Sequence, residues 1–125
     1  ELVDKANELI KVMSPEQVKN AYDKGDVTLI DVRDIRELWK EGTIKDSIHI
    51  PRGMLEFWLD PQSSYYQEKK IGDIKNIVLF CALGFRSALA TKALKEMGFD
   101  NVANASGGFD SLKKAGLPVV VKEKK

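Results

Sequence analysis

The sequence predicts an α/β domain with a mostly parallel central sheet and helices on both faces. Three observations carry this. Ile77 to Phe80 is a short, continuous apolar run of the kind found in strands buried on both faces. Val27 to Val32 is a second run, rich in β-branched residues. Amphipathic helical patterns alternate with these runs, which is the sequence signature of parallel strands joined by helical crossovers. The chain has 125 residues and no internal repeat, which suits a single domain able to bury its own core.

Taken in order, Leu2, Ala6, Leu9, Ile10 and Met13 recur at helical spacing and predict an N-terminal helical extension over 1–13. The domain proper is expected over 14–121. Ser14-Pro15-Glu16-Gln17 combines an N-cap serine, a proline at the first helical position and a glutamine three residues past the cap, and Gly25 supplies a stop. The strand that follows ends in Asp31-Val32-Arg33. Two charges at a buried strand end need partners, so the pair reads as support for neighbouring chain rather than as reacting groups. Asp34 with Glu37 predicts a second capping box, ended by Gly42. Ile48-His49-Ile50 reads as a short strand stopped by Pro51, with His49 turned away from the isoleucines and toward the surface.

Arg52 to Leu59 is dense in large side chains and follows a strand end, which places Arg52 and Glu56 on the side of the sheet where such folds hold ligands. Gln62 to Asn76 is polar and reads as a surface connection. After the apolar run, Ala88, Leu89, Ala90, Ala93, Leu94 and Met97 form a helix face ended by Gly98. Val102 to Ala105 is a further strand, and Ser106-Gly107-Gly108 a tight turn into a last helix carrying Phe109 and Leu112. Residues 122–125 are a charged tail.

Composition narrows the function. Twenty basic against nineteen acidic side chains leave a net charge of +1, with Lys and Glu interleaved, so there is no nucleic-acid footprint. No apolar run approaches the roughly 20 residues of a membrane span, and no signal-peptide pattern opens the chain. A cytoplasmic location is expected; because the first residue is Glu1 rather than methionine, an exported protein stays open. One cysteine excludes an internal disulfide, and one cysteine with one histidine is too few for a structural zinc site. No metal and no organic cofactor is called for.

The single cysteine, Cys81, falls at the carboxyl end of the Ile77 to Phe80 run. Alone it would read as a small buried hydrophobe. Its setting argues for a nucleophile. The loop Ala82, Leu83, Gly84, Phe85 contains a glycine able to turn the backbone sharply, Arg86 follows with a permanent charge, and Ser87 opens a helical pattern. Backbone N-H groups of such a loop, with the helix start, form a cradle of positive partial charge around the sulfur. Thiols in electropositive settings of this kind have pKa values of roughly 3.5 to 7.5.

The pattern Cys81-x-x-Gly84-x-Arg86-Ser87 resembles the active-site loop of the rhodanese-like sulfurtransferases. So do Leu29 to Arg33, Gly42-Thr43-Ile44 followed by Ile48 to Pro51, and Gly107-Gly108-Phe109 followed by Ala115 to Pro118. The resemblance implies a rhodanese-like fold and a double displacement, in which Cys81 takes a sulfane sulfur from thiosulfate or a persulfide and passes it to cyanide, a thiol or a protein acceptor. Cys81 and Arg86 would be catalytic, Ala82 to Phe85 with Ser87 would form the cradle, and Asp31, Arg33 and Arg52 would support or line the pocket. Two departures stand out. Many relatives carry a basic residue where Ala82 stands, which weakens thiosulfate as the preferred donor and gives Arg52 a possible compensating part. Thr43 replaces a frequent histidine at a position read as structural. A non-catalytic interaction or sulfur-carrier module is the alternative, and a cysteine phosphatase or arsenate reductase a lesser one, because those loops set five residues between cysteine and arginine where this chain has four. A monomer or weak homodimer is expected.

Overall fold

The computed structural model of the chain describes residues 10–51, 76–83, 85–97, 99 and 101–121. The elements run β1 (Lys11–Met13), α1 (Pro15–Asp23), β2 (Val27–Asp31), α2 (Ile35–Glu41), β3 (Thr43–Ile44), β4 (Ile48–His49), β5 (Asn76–Phe80), α3 (Phe85–Glu96), β6 (Val102–Ala105), α4 (Gly108–Lys114) and β7 (Val119–Val120). Five strands form one sheet in the order β1-β6-β5-β2-β4, with every neighbouring pair parallel. β3 and β7 make a separate antiparallel pair. The described helices include none long and apolar enough to cross a membrane.

Both capping boxes form as their spacing dictates. Ser14 Oγ accepts the Gln17 N-H while Gln17 Oε1 accepts the Ser14 N-H, and Asp34 and Glu37 are likewise joined in a reciprocal box at the start of α2. Gly42 ends α2 at φ 80°, and a Cβ there would lie 2.5 Å from the Val120 carbonyl oxygen, so β7 closes over a glycine.

Alternation along β5 builds the core on both faces. Val78 and Phe80 pack with Val18 of α1 and with Phe109 and Leu112 of α4. Ile77, Leu79 and then Cys81 turn the other way, toward Ala90 and Leu94 of α3. Each fully buried Leu, Ile or Phe contributes about 1.5–3 kcal/mol, so both faces hold β5 in register. The ladder continues past the strand ends, with the Val32 N-H donating to Phe80 O and the Ile50 N-H to Asp31 O, both at 3.0 Å.

The N-terminus differs from expectation. The apolar spacing predicts a helix over 1–13, yet Lys11–Met13 is β1, paired in register with Ala103 to Ala105. Edge pairing with β6 satisfies backbone groups that a local periodicity cannot see. The rest of that prediction, 1–9, lies outside the described residues, as do 122–125. The last helix of the sheet's α3 side begins at Phe85, two residues before the pattern that Ser87 opens. The β3–β7 pair was not foreseen.

Beneath β2 lies a buried polar cluster. Asp31 and Arg33 are both fully buried. Asp31 Oδ1 accepts from the Arg33 N-H and Nε, both at 3.0 Å, and Oδ2 accepts from Arg33 Nη2 at 2.8 Å and Thr43 Oγ1 at 2.7 Å. Arg33 Nη2 also donates to Gly42 O, and the guanidinium lies 4.1 Å from the centroid of the Phe109 ring. The cluster thus ties β2, the end of α2, β3 and α4 together. Removing one partner of such a pair strands a buried charge at a cost of about 3–5 kcal/mol, against at most about 1 kcal/mol for an exposed pair. Arg33→Leu is therefore expected to lose most of that amount in urea unfolding, while Lys19→Ala, which breaks the exposed Lys19–Asp23 bridge, leaves the midpoint nearly unmoved.

Candidate active site

Cys81 follows β5 immediately, at the carboxyl edge of the parallel sheet, and is 1% exposed. Its backbone and side chain are held from opposite faces. On one face, the Phe109 N-H at the start of α4 donates to Cys81 O at 2.7 Å. This close approach requires Gly108, which sits at φ 63° and whose Cβ would fall 2.4 Å from Cys81 O and 2.7 Å from the Ala82 carbonyl carbon. On the other face, the thiol enters the α3 side of the core. There the Ser87 N-H donates to Sγ at 3.4 Å, with Ser87 Oγ at 3.5 Å. A first-turn amide of α3 thus points at the sulfur, with the partial positive charge of a helix start behind it. Ala88 and Ala90 are fully buried and let the helix pack closely.

Arg86 supplies the full positive charge. Its guanidinium meets Glu37 of α2 in a two-pronged pair, Nη1 to Oε1 at 2.7 Å and Nη2 to Oε2 at 2.9 Å, and is near enough to Cys81 to interact with it electrostatically. The Arg86 pKa is raised, chiefly by the Glu37 hydrogen bond and further by attraction to Glu37 and to Cys81, against partial burial. Glu37 is pushed the other way, its carboxyl lowered chiefly by the Arg86 hydrogen bond, against burial and with help from the Asp34 N-H. The arginine charge is therefore steered as well as present: the carboxylate fixes the guanidinium fork on the Cys81 side of the sheet.

Behind the sulfur is a small buried polar group. Ser87 Oγ lies 2.5 Å from Asn104 Oδ1 of β6, and Thr91 Oγ1 donates to Ser87 O at 2.8 Å. Ser87, Thr91 and Asn104 are all buried.

The remaining candidates separate clearly. Ala82 is half-buried and Leu83, at 58% exposure, brings the loop to the surface. Phe85 is the first residue of α3. Asp31 and Arg33 lie on the α4 side of the sheet, away from Sγ, where Arg33 stacks on Phe109. Gly84 and Arg52 lie outside the described residues, as does Glu56. His49 is half-buried with Nε2 2.8 Å from Arg33 O. Thr43 donates to Asp31 in the buried cluster. A cavity of about 440 Å³ opens at the other end of the strands, lined by Lys11, Asp26, Asn76 and Asn101 among others, and so lies at the strand starts rather than beside Cys81.

Three contributors escape a reading of the chain. Glu37 is legible only as a capping residue, because its second partner is 49 positions away. Gly108 signals a turn but not what it approaches. Asn104 carries a faint signal, a lone amide inside the otherwise apolar strand Val102-Ala103-Asn104-Ala105.

Comparison with known proteins bears on this arrangement. The family profile described as Rhodanese-like domain matches residues 14–115. The thiosulfate sulfurtransferase GlpE of Actinobacillus pleuropneumoniae serotype 5b is 28% identical over 113 residues, covering 90% of this chain and 95% of its own. The solution structure of the polysulfide-sulfur transferase homodimer from Wolinella succinogenes is similar at 34% identity and TM-score 0.72, over 97% of this chain and 85% of that one. A protein of unknown function from Rhodopseudomonas palustris CGA009, described as a possible tyrosine phosphatase, is similar at 40% identity and TM-score 0.87, over 95% and 91%. With the profile covering most of its length and the cysteine loop in place at the end of β5, the chain belongs to the rhodanese-like family.

Proposed function

We propose that the protein is a sulfurtransferase working through a persulfide on Cys81. The observation that carries this reading is the thiol's position: Sγ at the carboxyl end of β5, receiving the Ser87 N-H at 3.4 Å beside the Arg86 guanidinium. Such a site stabilises a thiolate and, afterwards, the terminal sulfur anion of a persulfide, which is electrostatic catalysis applied to sulfur. Relatives named as sulfurtransferases support the reaction class.

In the first half-reaction the Cys81 thiolate attacks the sulfane sulfur of the donor. The new S–S bond forms as the donor's S–S bond breaks, and the leaving group departs with the electron pair, as sulfite from thiosulfate or a thiolate from a persulfide. In the second, cyanide or a thiol attacks the outer sulfur, and Cys81 leaves as thiolate, ready for another cycle. A thiolate is both nucleophile and leaving group, so stabilising it assists both halves. Arg86 and the helix start do this stabilising, and Gly84, Ala82, Leu83 and Phe85 complete the loop. Asp31 and Arg33 act as its foundation through the α4 side. Arg52 is the proposed second cation at the mouth. The apolar Ala82 and the exposed Leu83 favour a persulfide over dianionic thiosulfate as donor.

The similarity to a possible tyrosine phosphatase raises one competing reading. Four residues separate Cys81 from Arg86, and the shorter loop suits one sulfur atom better than a tetrahedral oxyanion. Assays of thiocyanate formation from thiosulfate and from a thiol persulfide, beside hydrolysis of p-nitrophenyl phosphate, separate the two. Wild type is expected to turn over the sulfur donors and Cys81→Ser to lose at least about 10³-fold, as for removal of a covalent nucleophile. Phosphate release without thiocyanate would reverse the assignment.

The Glu37–Arg86 pair fixes a pH dependence. The folded Glu37 pKa lies below its unfolded value of about 4.3, so the pair's stabilisation is fully present above that value and is lost as pH falls through the folded pKa. Both side chains are partly exposed, 44% for Arg86 and 27% for Glu37, so the effect is at most about 1 kcal/mol. Melting temperatures of wild type and Glu37→Gln should differ by a constant few degrees from pH 7 to about 5 and converge in acid. Parallel curves at every pH would show that the carboxylate charge is not what holds Arg86.

A further inference from the structure

An arginine receives an oxyanion best along the edge formed by its two η nitrogens, where two parallel N-H groups match two oxygens. On Arg86 that edge is taken. Glu37 Oε1 accepts from Nη1 at 2.7 Å and Oε2 accepts from Nη2 at 2.9 Å. The carboxylate is also held from behind, because Oε1 accepts the Asp34 N-H at 3.1 Å in the capping box of α2. One side chain thus caps a helix and closes the fork of a cation 49 positions away. Arg36, next to Glu37 in the chain, is engaged by Asp34, with Nε 3.0 Å from Oδ1. Arg86 and Glu37 are both partly exposed, so an incoming donor can reach the pair.

Sulfur donors differ in what they ask of that edge. Thiosulfate is a dianion whose sulfonate end would dock on a guanidinium through the fork. To do so on Arg86 it must displace the Glu37 carboxylate or settle beside it against like charge. A persulfide brings its sulfane sulfur on a thiol, with no oxyanion at the reacting end. It needs positive potential near the sulfur but no fork. A paired guanidinium still supplies that potential, since its charge is delocalised over the whole group and is never lost by deprotonation.

We infer that Glu37 is a specificity-determining residue acting through Arg86: by occupying the guanidinium fork it disfavours oxyanion donors such as thiosulfate and selects sulfane sulfur carried on a thiol. The inference rests on the reading of Cys81 as the nucleophile of sulfur transfer, and deepens it by assigning the choice of donor to a residue outside the loop. Glu37 takes no part in the transfer itself. The donor's S–S bond breaks as the bond to Cys81 forms, the leaving group takes the electron pair, and the carboxylate neither gains nor loses a proton.

The test compares kcat/KM for thiosulfate and for 2-hydroxyethyl persulfide, each with cyanide as acceptor, in wild type and Glu37→Gln. Glutamine can still accept the Asp34 N-H in a capping box, so the substitution removes the charge and keeps the cap. The thiosulfate-to-persulfide ratio is expected to rise about tenfold, the size of one hydrogen bond to a charged group, through a lower KM for thiosulfate. In an Arg86→Lys background the same substitution should move the ratio by less than about threefold, because lysine keeps the charge but has no fork to free. A ratio unmoved by Glu37→Gln, with both donors slowed alike, would show that Glu37 only steadies Arg86 and would overturn the inference. An equal change in both backgrounds would also overturn it, since that is repulsion acting through space. A second arm needs no variant: sulfate at roughly 10 mM should slow iodoacetamide alkylation of wild-type Cys81 by less than about twofold, and strong protection would show a fork open to oxyanions. If folded wild type turns over neither donor, the sulfur-transfer reading fails and takes the inference with it, whereas turnover with an unmoved ratio removes only the role of Glu37.

Discussion

The hydrogen bond from the Phe109 N-H to Cys81 O, 2.7 Å long, is the contact on which the site depends. It joins the start of α4 to the first residue after β5. It exists because Gly108 brings no side chain where a Cβ would press on the Cys81–Ala82 peptide. With the carbonyl clamped on the α4 side, alternation along β5 sends the thiol to the α3 side. Backbone anchoring and side-chain chemistry are thereby divided between two faces of one sheet. The loop can turn toward solvent at Leu83 without loosening the sulfur, since neither hold on Cys81 passes through Leu83.

Charge is divided in the same way. Asp31 and Arg33 neutralise one another in a buried cluster under Phe109, which Thr43 and the Gly42 carbonyl complete. Arg86 and Glu37 form a second, half-exposed pair whose cation feels the Cys81 sulfur electrostatically. The first pair is costly to break and so serves architecture. The second is weakly held and near the surface, as suits a group that must meet incoming anions and release them. Both rest on α2 and its ends, which explains why a short helix of seven residues carries so firm a cap at each end.

Much of this was legible in the residues because it is local. Two capping boxes, the stops at Gly25 and Gly42 and the placement of Cys81 at a strand end depend on spacings of a few positions, and each appears where expected, while the third stop, Gly98, lies outside the described residues. What was not legible is pairing across the chain. Lys11–Met13 has the apolar spacing of a helix together with Leu9 and Ile10, and becomes a strand only through the partner edge of β6. Two-residue strands such as β3 and β7 have no period to detect. Glu37 meets Arg86, and Asn104 meets Ser87, only after the sheet is assembled. The buried role of Thr43, by contrast, follows from its hydroxyl: it is small enough to sit against Asp31 and still donate.

The central claim is that Cys81 carries sulfur between donor and acceptor. Intact-protein mass spectrometry with peptide mapping, after brief exposure to thiosulfate and separately to a thiol persulfide, tests it most directly. The mass should rise by one sulfur atom located on Cys81, more readily with the persulfide, and fall back on addition of cyanide. A folded protein whose Cys81 stays unmodified with both donors would contradict sulfur transfer and leave the domain as a binding module.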